Sequence, residues 1–294
     1  MKIKKRKRIS IFAILVLMLL VVSGCTKQSK KNDKINIVTS TNIYANIAQN
    51  IVGKYGKAEA IIQKSSTDPH DFEPTTADAK IVDRANIVVA NGLGYDSWMN
   101  NLASSSNKKV VLVGEDLMKL KKGDNPHIWY DLNMPIKYVN YLVQRLTKID
   151  PKHKTYYQKN GQAYITEIDK LKKMAKEIKG QNSKPVFVSE PVFDYALEEA
   201  GYKIGDKGFE EAIENDTDPS PKLINQMTNE INQRKIAFFV NNTQATSSTV
   251  NGFIRKAKAK DIPILNVRET MPTHVSYLYW MKQNYTKLAN ISEQ

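Results

Sequence analysis

Cysteine is almost absent from this 294-residue chain, since Cys25 is the only one. A single cysteine excludes internal disulfide bonds and leaves no pair of thiolates for a metal or redox site. Histidine is scarce as well, with four residues, and neither His-Glu-x-x-His nor Gly-x-Ser-x-Gly occurs. The net charge is +14, and apart from six basic residues at the N-terminus the positive charge is spread along the chain, without the basic and aromatic cluster typical of a nucleic-acid site. These absences argue against a disulfide scaffold, a dithiol redox or metal site and a nucleic-acid-binding protein.

The N-terminus has the composition of an export signal. Six basic residues lie before residue 9, and the apolar run 9–22 is too short for a comfortable transmembrane helix. The next residues, Ser23-Gly24-Cys25, complete a lipobox, in which signal peptidase cuts before the cysteine and its thiol is acylated. We expect residues 1–24 to be a lipoprotein signal peptide and Cys25 to anchor the chain at the extracytoplasmic face of the cell membrane. The alternative is a single-pass anchor with an incidental cysteine.

The polar, lysine-rich residues 25–34 are predicted to form a lipidated tether. Loss of the six leader charges would lower the net charge from +14 to +8. The body that follows alternates short β-branched runs with amphipathic ones, which is typical of α/β folds with mostly parallel, buried sheets. Predicted strands lie at 35–40, 58–63, 87–91, 110–113, 186–189, 236–241 and 262–267.

A lysine-rich segment with apolar residues at helical spacing separates two such βα regions. Asp150 is its predicted N-cap and Pro151 its first residue. We therefore predict a first lobe at 35–149, a long spine helix at 150–181 and a second lobe at 182–294.

Two of the four histidines follow a proline, in Asp68-Pro69-His70 and Asn125-Pro126-His127. A proline restricts the backbone before each imidazole, and imidazole is the commonest transition-metal ligand. Both histidines follow predicted parallel strands, at the sheet edge where α/β folds bind ligands. Either one alone is equally compatible with an ordinary loop residue, but the pair predicts a metal site.

Two carboxylates occupy equivalent positions in the second half, after the first and last predicted strands. Glu190 lies in Ser-Glu-Pro-Val-Phe-Asp-Tyr, where it is either a ligand or an acid at a helix N-terminus. Glu269 lies in Glu-Thr-Met-Pro, where it is either a ligand or a surface partner of Arg268 or a lysine.

These four segments together resemble the zinc/manganese solute-binding lipoproteins of ABC importers, often called cluster A-I. The resemblance covers the whole mature chain and implies two βα lobes joined by one long helix, with one ion in the cleft and two ligands from each lobe. It assigns His70, His127 and Glu190 as metal ligands. The fourth is Glu269, where many members have aspartate, and Asp261 fits less well.

The chain departs from zinc-type members at two places. It has Glu190 where they usually have a third histidine, and its loop 114–125 lacks their histidine-rich insertion. Two imidazoles with two carboxylates suit Mn²⁺ better than a three-histidine set does, although Zn²⁺ would also bind. The expected cargo is therefore Mn²⁺ or Zn²⁺, with a preference for manganese.

Other histidines and acids are assigned ordinary roles. His153 is expected to be exposed, His274 matches no ligand motif, and the acidic run from Glu210 to Asp218 is expected to be a solvated helix end and turn.

The predicted function is capture of a divalent ion by a monomer that passes it to a membrane permease driven by an ATPase. A metal-dependent hydrolase is the first alternative, but four protein ligands would leave no open position for water. The second is an adhesin or organic-solute-binding lipoprotein, which two histidines in the cleft do not favour.

Overall fold

The computed structural model describes residues 34–178, 180, 184–245 and 247–293. The predicted signal peptide, Cys25 and the tether up to residue 33 lie outside these residues. The strands are β1 Ile35–Thr41, β2 Gly56–Ile62, β3 Ile87–Ala90, β4 Val110–Leu112, β5 Phe187–Val188, β6 Phe239–Asn242 and β7 Ile264–Val267. The helices are Asn42–Val52, Thr76–Asp83, Trp98–Ser105, Asn133–Ile149, Lys154–Glu177, Asp194–Glu199, Lys207–Glu214, Pro221–Asn232, Ser248–Ala259 and Tyr277–Ser292. Short helical turns occupy Gly53–Tyr55, Val113–Met118, Ile128–Tyr130 and Pro151–His153.

The strands form two parallel sheets, with strand orders β2-β1-β3-β4 and β5-β6-β7. Each predicted strand is present, and the bounds differ from the predicted ones by up to three residues. The fold class predicted from the βα alternation is confirmed.

Successive strand residues face different apolar layers, as the period of a β-strand requires. In the first sheet, Val89 packs into a large core that both halves of the chain share, whereas Val88 packs into a separate layer on the opposite face. In the second sheet, Val240 joins the shared core and Phe239 joins a third layer. Both sheets are therefore covered on both faces, which explains why their strands are nearly continuous apolar runs.

The spine helix is Lys154–Glu177, and the turn Pro151–His153 precedes it. It packs against the helices Asn133–Ile149, Asn42–Val52 and Tyr277–Ser292, so it contacts elements from both halves of the chain. Asp150 occupies the N-cap position of the turn that precedes the helix, with Pro151 as the first residue, as predicted. Its carboxylate makes no cap hydrogen bond and accepts hydrogen bonds from His153 and Tyr157 instead. The predicted lobe boundaries remain predictions.

Two helices were not predicted from the sequence. The C-terminal helix Tyr277–Ser292 buries Tyr277, Trp280 and Met281 in the shared core, at helical spacing. The acidic helix, Lys207–Glu214, buries Phe209 and Glu210. Across the part of the chain that the structure describes, none of the helices combines the length and apolar composition that a bilayer crossing requires.

Candidate metal centre

The four predicted ligands follow the ends of parallel strands. His70 lies beyond β2, His127 beyond β4, Glu190 beyond β5 and Glu269 beyond β7. Because parallel strands end at the same edge of a sheet, each pair lies at the carboxyl edge of its own sheet.

His127 is completely buried, and its orientation is determined by Asn125. The Oδ1 atom of Asn125 accepts a hydrogen bond from the backbone nitrogen of His127 at 3.0 Å and lies 2.8 Å from its Nδ1. With the proton on Nδ1, the lone pair is on Nε2, which is buried and has no hydrogen-bond partner in the described structure. Burial, and secondarily the charge of nearby His70, lowers the pKa of His127 to about 3. His127 is therefore a neutral imidazole, and the lone pair of its Nε2 is available to bind a cation.

His70 lies in an exposed turn whose backbone is constrained on both sides. Its backbone N–H donates to Asp68 Oδ1 at 2.8 Å, and the carbonyl of buried Pro69 accepts from Trp98 Nε1 at 3.0 Å. The imidazole packs edge-on against Tyr95, with ring centroids 4.7 Å apart. The hydrogen bond to Pro69 and the contact with Tyr95 thus position the imidazole of His70, although the residue is exposed.

Glu190 is buried and held by Asn242 at the end of β6. Asn242 Nδ2 donates to Glu190 Oε2 at 2.6 Å, and the backbone of Asn242 donates to Ser189 Oγ at 2.9 Å. Burial raises the pKa of Glu190 to about 7, the Asn242 bond opposes this rise, and the charge of Glu269 adds to it. Since the helix begins only at Asp194, Glu190 does not cap it.

Glu269 accepts a hydrogen bond from the Tyr95 hydroxyl, with 2.8 Å between the oxygen atoms. Burial raises the pKa of Glu269, while the Tyr95 bond and the charge of His70 lower it. The alternative of a surface ion pair with Arg268 or a lysine is not found among the described residues, whose ion pairs do not include Glu269.

Glu214, the last residue of the acidic helix, was not predicted as a site residue. Its Oε1 lies 3.9 Å from Nε2 of His127, and its side chain is 21% exposed. Burial raises the pKa of Glu214 to about 8, and the charges of Glu190 and Glu269 contribute to the rise. The prediction that the acidic run is a solvated helix end is therefore wrong for Glu210, which is 2% exposed, and for Glu214. Phe209 and Ile213, four residues apart, indicate an amphipathic helix, but no local pattern shows that Glu210 and Glu214 lie away from solvent.

His70, Tyr95, Asn125 and Glu214 line a cleft of about 670 Å³. Glu190 lines a separate cavity of about 260 Å³, together with Ser189 and Asp216. In the ranges that the structure describes, no three His, Cys, Asp or Glu side chains converge closely enough to enclose an ion. The structure thus brings the predicted ligands to a common region without closing a coordination shell around its centre. An incoming cation would bind the lone pair of the neutral His127 imidazole directly, and it would displace protons from the carboxyl groups whose pKa values are raised.

The other candidates lie elsewhere. Asp261 is exposed and pairs with Arg234 at 2.7 Å. His274 lines a different cavity, beside Asn42 and Met271. His153 stacks on Tyr55, with ring centroids 3.6 Å apart, so it is only partly exposed.

Comparison with known proteins identifies relatives over nearly the whole chain. A profile described as ZnuA, zinc-uptake complex component A periplasmic, matches residues 37–291. The metal ABC transporter substrate-binding lipoprotein SloC of Streptococcus mutans is 30% identical in an alignment of 311 positions, which covers 97% of this chain and 98% of SloC. The manganese ABC transporter substrate-binding lipoprotein PsaA of Streptococcus pneumoniae is 27% identical and covers 96% of each chain.

Solved structures show the same fold. The binding protein FpvC of Pseudomonas aeruginosa, in complex with Mn²⁺, aligns with a TM-score of 0.72 at 20% identity. The alignment covers 89% of this chain and 99% of FpvC.

Proposed function

This chain belongs to the ZnuA family of metal-uptake components, and we propose that it captures one Mn²⁺ or Zn²⁺ ion outside the membrane and delivers it to an ABC importer. The observation that carries the proposal is the buried Nε2 of His127, which has no hydrogen-bond partner among the described residues. A buried polar atom without a partner costs free energy, and an ion in the cleft would remove that cost.

The proposed ligands are His70 and His127 from the first lobe, 35–149, and Glu190 and Glu269 from the second, 182–294. Asn125, Asn242 and Tyr95 support this set, because each holds one proposed ligand by a hydrogen bond. Such outer partners orient a ligand and tune its affinity for the ion. The spine helix, Lys154–Glu177, lies inside the proposed connecting segment 150–181 and contacts elements from both halves of the chain.

The proposed location follows from the N-terminal pattern and from relatives that are named lipoproteins. Cleavage before Cys25 and acylation of its thiol would anchor a monomer at the extracytoplasmic face of the cell membrane. Its partners would be the permease and the ATPase of the importer. The ion is cargo rather than a cofactor, and the chain carries out no reaction on it.

Thermal unfolding tests the proposal. The full-length chain, purified in detergent and stripped with chelator, should unfold at a higher temperature after addition of Mn²⁺ or Zn²⁺, because an ion that binds only the folded state stabilises it. His70→Ala and His127→Ala should each remove most of the increase, while His153→Ala should keep it. Identical melting of stripped and metal-loaded wild-type protein would refute the proposal.

A further inference from the structure

The acidic helix, Lys207–Glu214, ends beside the proposed metal site and is attached firmly to the second sheet. At its N-terminal side, the buried carboxylate of Asp206 accepts from the backbone N–H of Val188 in β5, with both oxygens at 3.2 Å. In its middle, Phe209 packs edge-on against Phe253, with ring centroids 5.2 Å apart. The last residue, Glu214, therefore has a defined position relative to the strand that leads to Glu190.

The distance between Glu214 and His127 suits two ligands of one ion. Their donor atoms, Oε1 and Nε2, are 3.9 Å apart, which is too far for a hydrogen bond. Two donors bound at about 2.1 Å to the same ion lie about 3.0 Å apart at a right angle and about 4.2 Å apart when opposite. The observed separation falls inside this range.

A second observation points independently to a ligand at this position. Nε2 of His127 is fully buried, has no hydrogen-bond partner in the described structure and lies on the side of the ring that faces Glu214. The Asn125 contact occupies the other ring nitrogen. An ion between Nε2 and the Glu214 carboxylate would satisfy both groups.

We propose that Glu214 supplies a fifth protein donor to the cargo ion and thereby favours Mn²⁺ over Zn²⁺. The inference rests on the proposed function and extends its ligand set. Mn²⁺ accepts six oxygen-rich ligands, whereas Zn²⁺ is satisfied by four in a closed site. A third carboxylate therefore adds more to the binding of Mn²⁺ than to that of Zn²⁺.

Calorimetric titration of the full-length, metal-free chain with Mn²⁺ alone and with Zn²⁺ alone tests the proposal. Glu214→Gln should weaken Mn²⁺ binding by about tenfold or more, which is the lower end of losses at metal sites. Zn²⁺ binding should weaken by less than about threefold. The matched control is Glu211→Gln on the same helix, because Glu211 also lines the cleft but is exposed. Its Mn²⁺ affinity should stay within about twofold of wild type.

Glu214→Asp is a second variant, which retains the negative charge but has a side chain that is shorter by one methylene group. It should also weaken Mn²⁺ binding, because the carboxylate no longer reaches the ion. Unchanged Mn²⁺ affinity in Glu214→Gln, or an equal loss in Glu211→Gln, would overturn the proposal. If the wild-type chain binds neither metal, the proposed function itself is wrong.

Discussion

The hydroxyl of Tyr95 donates a hydrogen bond to Oε1 of Glu269 across 174 positions of sequence, with 2.8 Å between the oxygens. The Tyr95 ring also packs edge-on against His70 and lies 5.0 Å from Trp129, centroid to centroid. One side chain thus touches two proposed ligands that come from opposite halves of the chain. An ion bound by Glu269 either replaces the Tyr95 hydroxyl at the carboxylate or binds the same carboxylate together with it.

Tyr95→Phe should destabilise the metal-free protein more than the metal-loaded protein. The substitution leaves a largely buried carboxylate without its donor, which costs about 1–3 kcal/mol of unfolding free energy. When metal is bound, the ion replaces the lost donor. Urea unfolding with chelator and with saturating metal measures both values. Tyr279→Phe is the control, because that side chain is 55% exposed, and equal losses in the two states would contradict the expectation.

Asn125→Ala should weaken metal binding without removing a ligand. Asn125 holds the Nδ1 side of His127, so its loss frees the ring to rotate or to adopt the other tautomer. We expect the dissociation constant to rise by about 10–100-fold, as measured by calorimetric titration. Asn125→Asp keeps an acceptor for Nδ1 and should bind more tightly than Asn125→Ala. Equal affinities for the two variants would show that the hydrogen bond has no orienting role.

Glu269→Ala should lower metal affinity strongly, because it removes a proposed ligand whose carboxylate lies next to His70 and Tyr95. His274→Ala should leave the affinity close to wild type, since His274 lines a different cavity. Competition with a chromogenic chelator gives both constants. The reverse pattern would assign the fourth ligand to His274.

Stability without metal should fall as the pH rises. Burial raises the pKa of Asp194 and Glu210, which hydrogen-bond to each other, and that of Asp206. Above pH about 4, these carboxyl groups have lost their protons in the unfolded chain but keep them in the folded chain. The unfolding free energy therefore falls as the pH rises from about 4 to about 7. Glu210→Gln removes one of the titrating groups and should make the decline shallower. Urea unfolding in chelator between pH 5 and 8 checks this; an unchanged or steeper decline would contradict it.

The sequence predicted the sheets well because buried parallel strands have a local signature. The β-branched runs identified every strand of the two sheets, and the lysine-rich apolar period identified the spine helix. The C-terminal helix Tyr277–Ser292 has an equally clear period but was overlooked. The acidic helix was misjudged for a physical reason, since acidic residues are usually solvated and only the surrounding fold shows that Glu210 and Glu214 are not.

The proposed set of metal ligands stays a prediction. His70, His127, Glu190 and Glu269 each follow a parallel strand, and the topology brings them to a common region. Tyr95, Asn242 and Glu214 were not predicted, because no local pattern distinguishes them from other loop or helix residues.

The sequence by itself determined the alternation of strands and helices, the restricted backbone before two histidines, and the lipobox at Cys25, because these depend on residues close together in the chain. Only the tertiary structure decided that Nε2 of His127 is buried without a hydrogen-bond partner among the described residues, that Tyr95 reaches Glu269, and that Glu214 lies 3.9 Å from His127. Proximity between distant residues and loss of water around a charge are properties of the packed chain. The same properties shift the pKa values of the acids, so the chemistry of the cleft depends on packing.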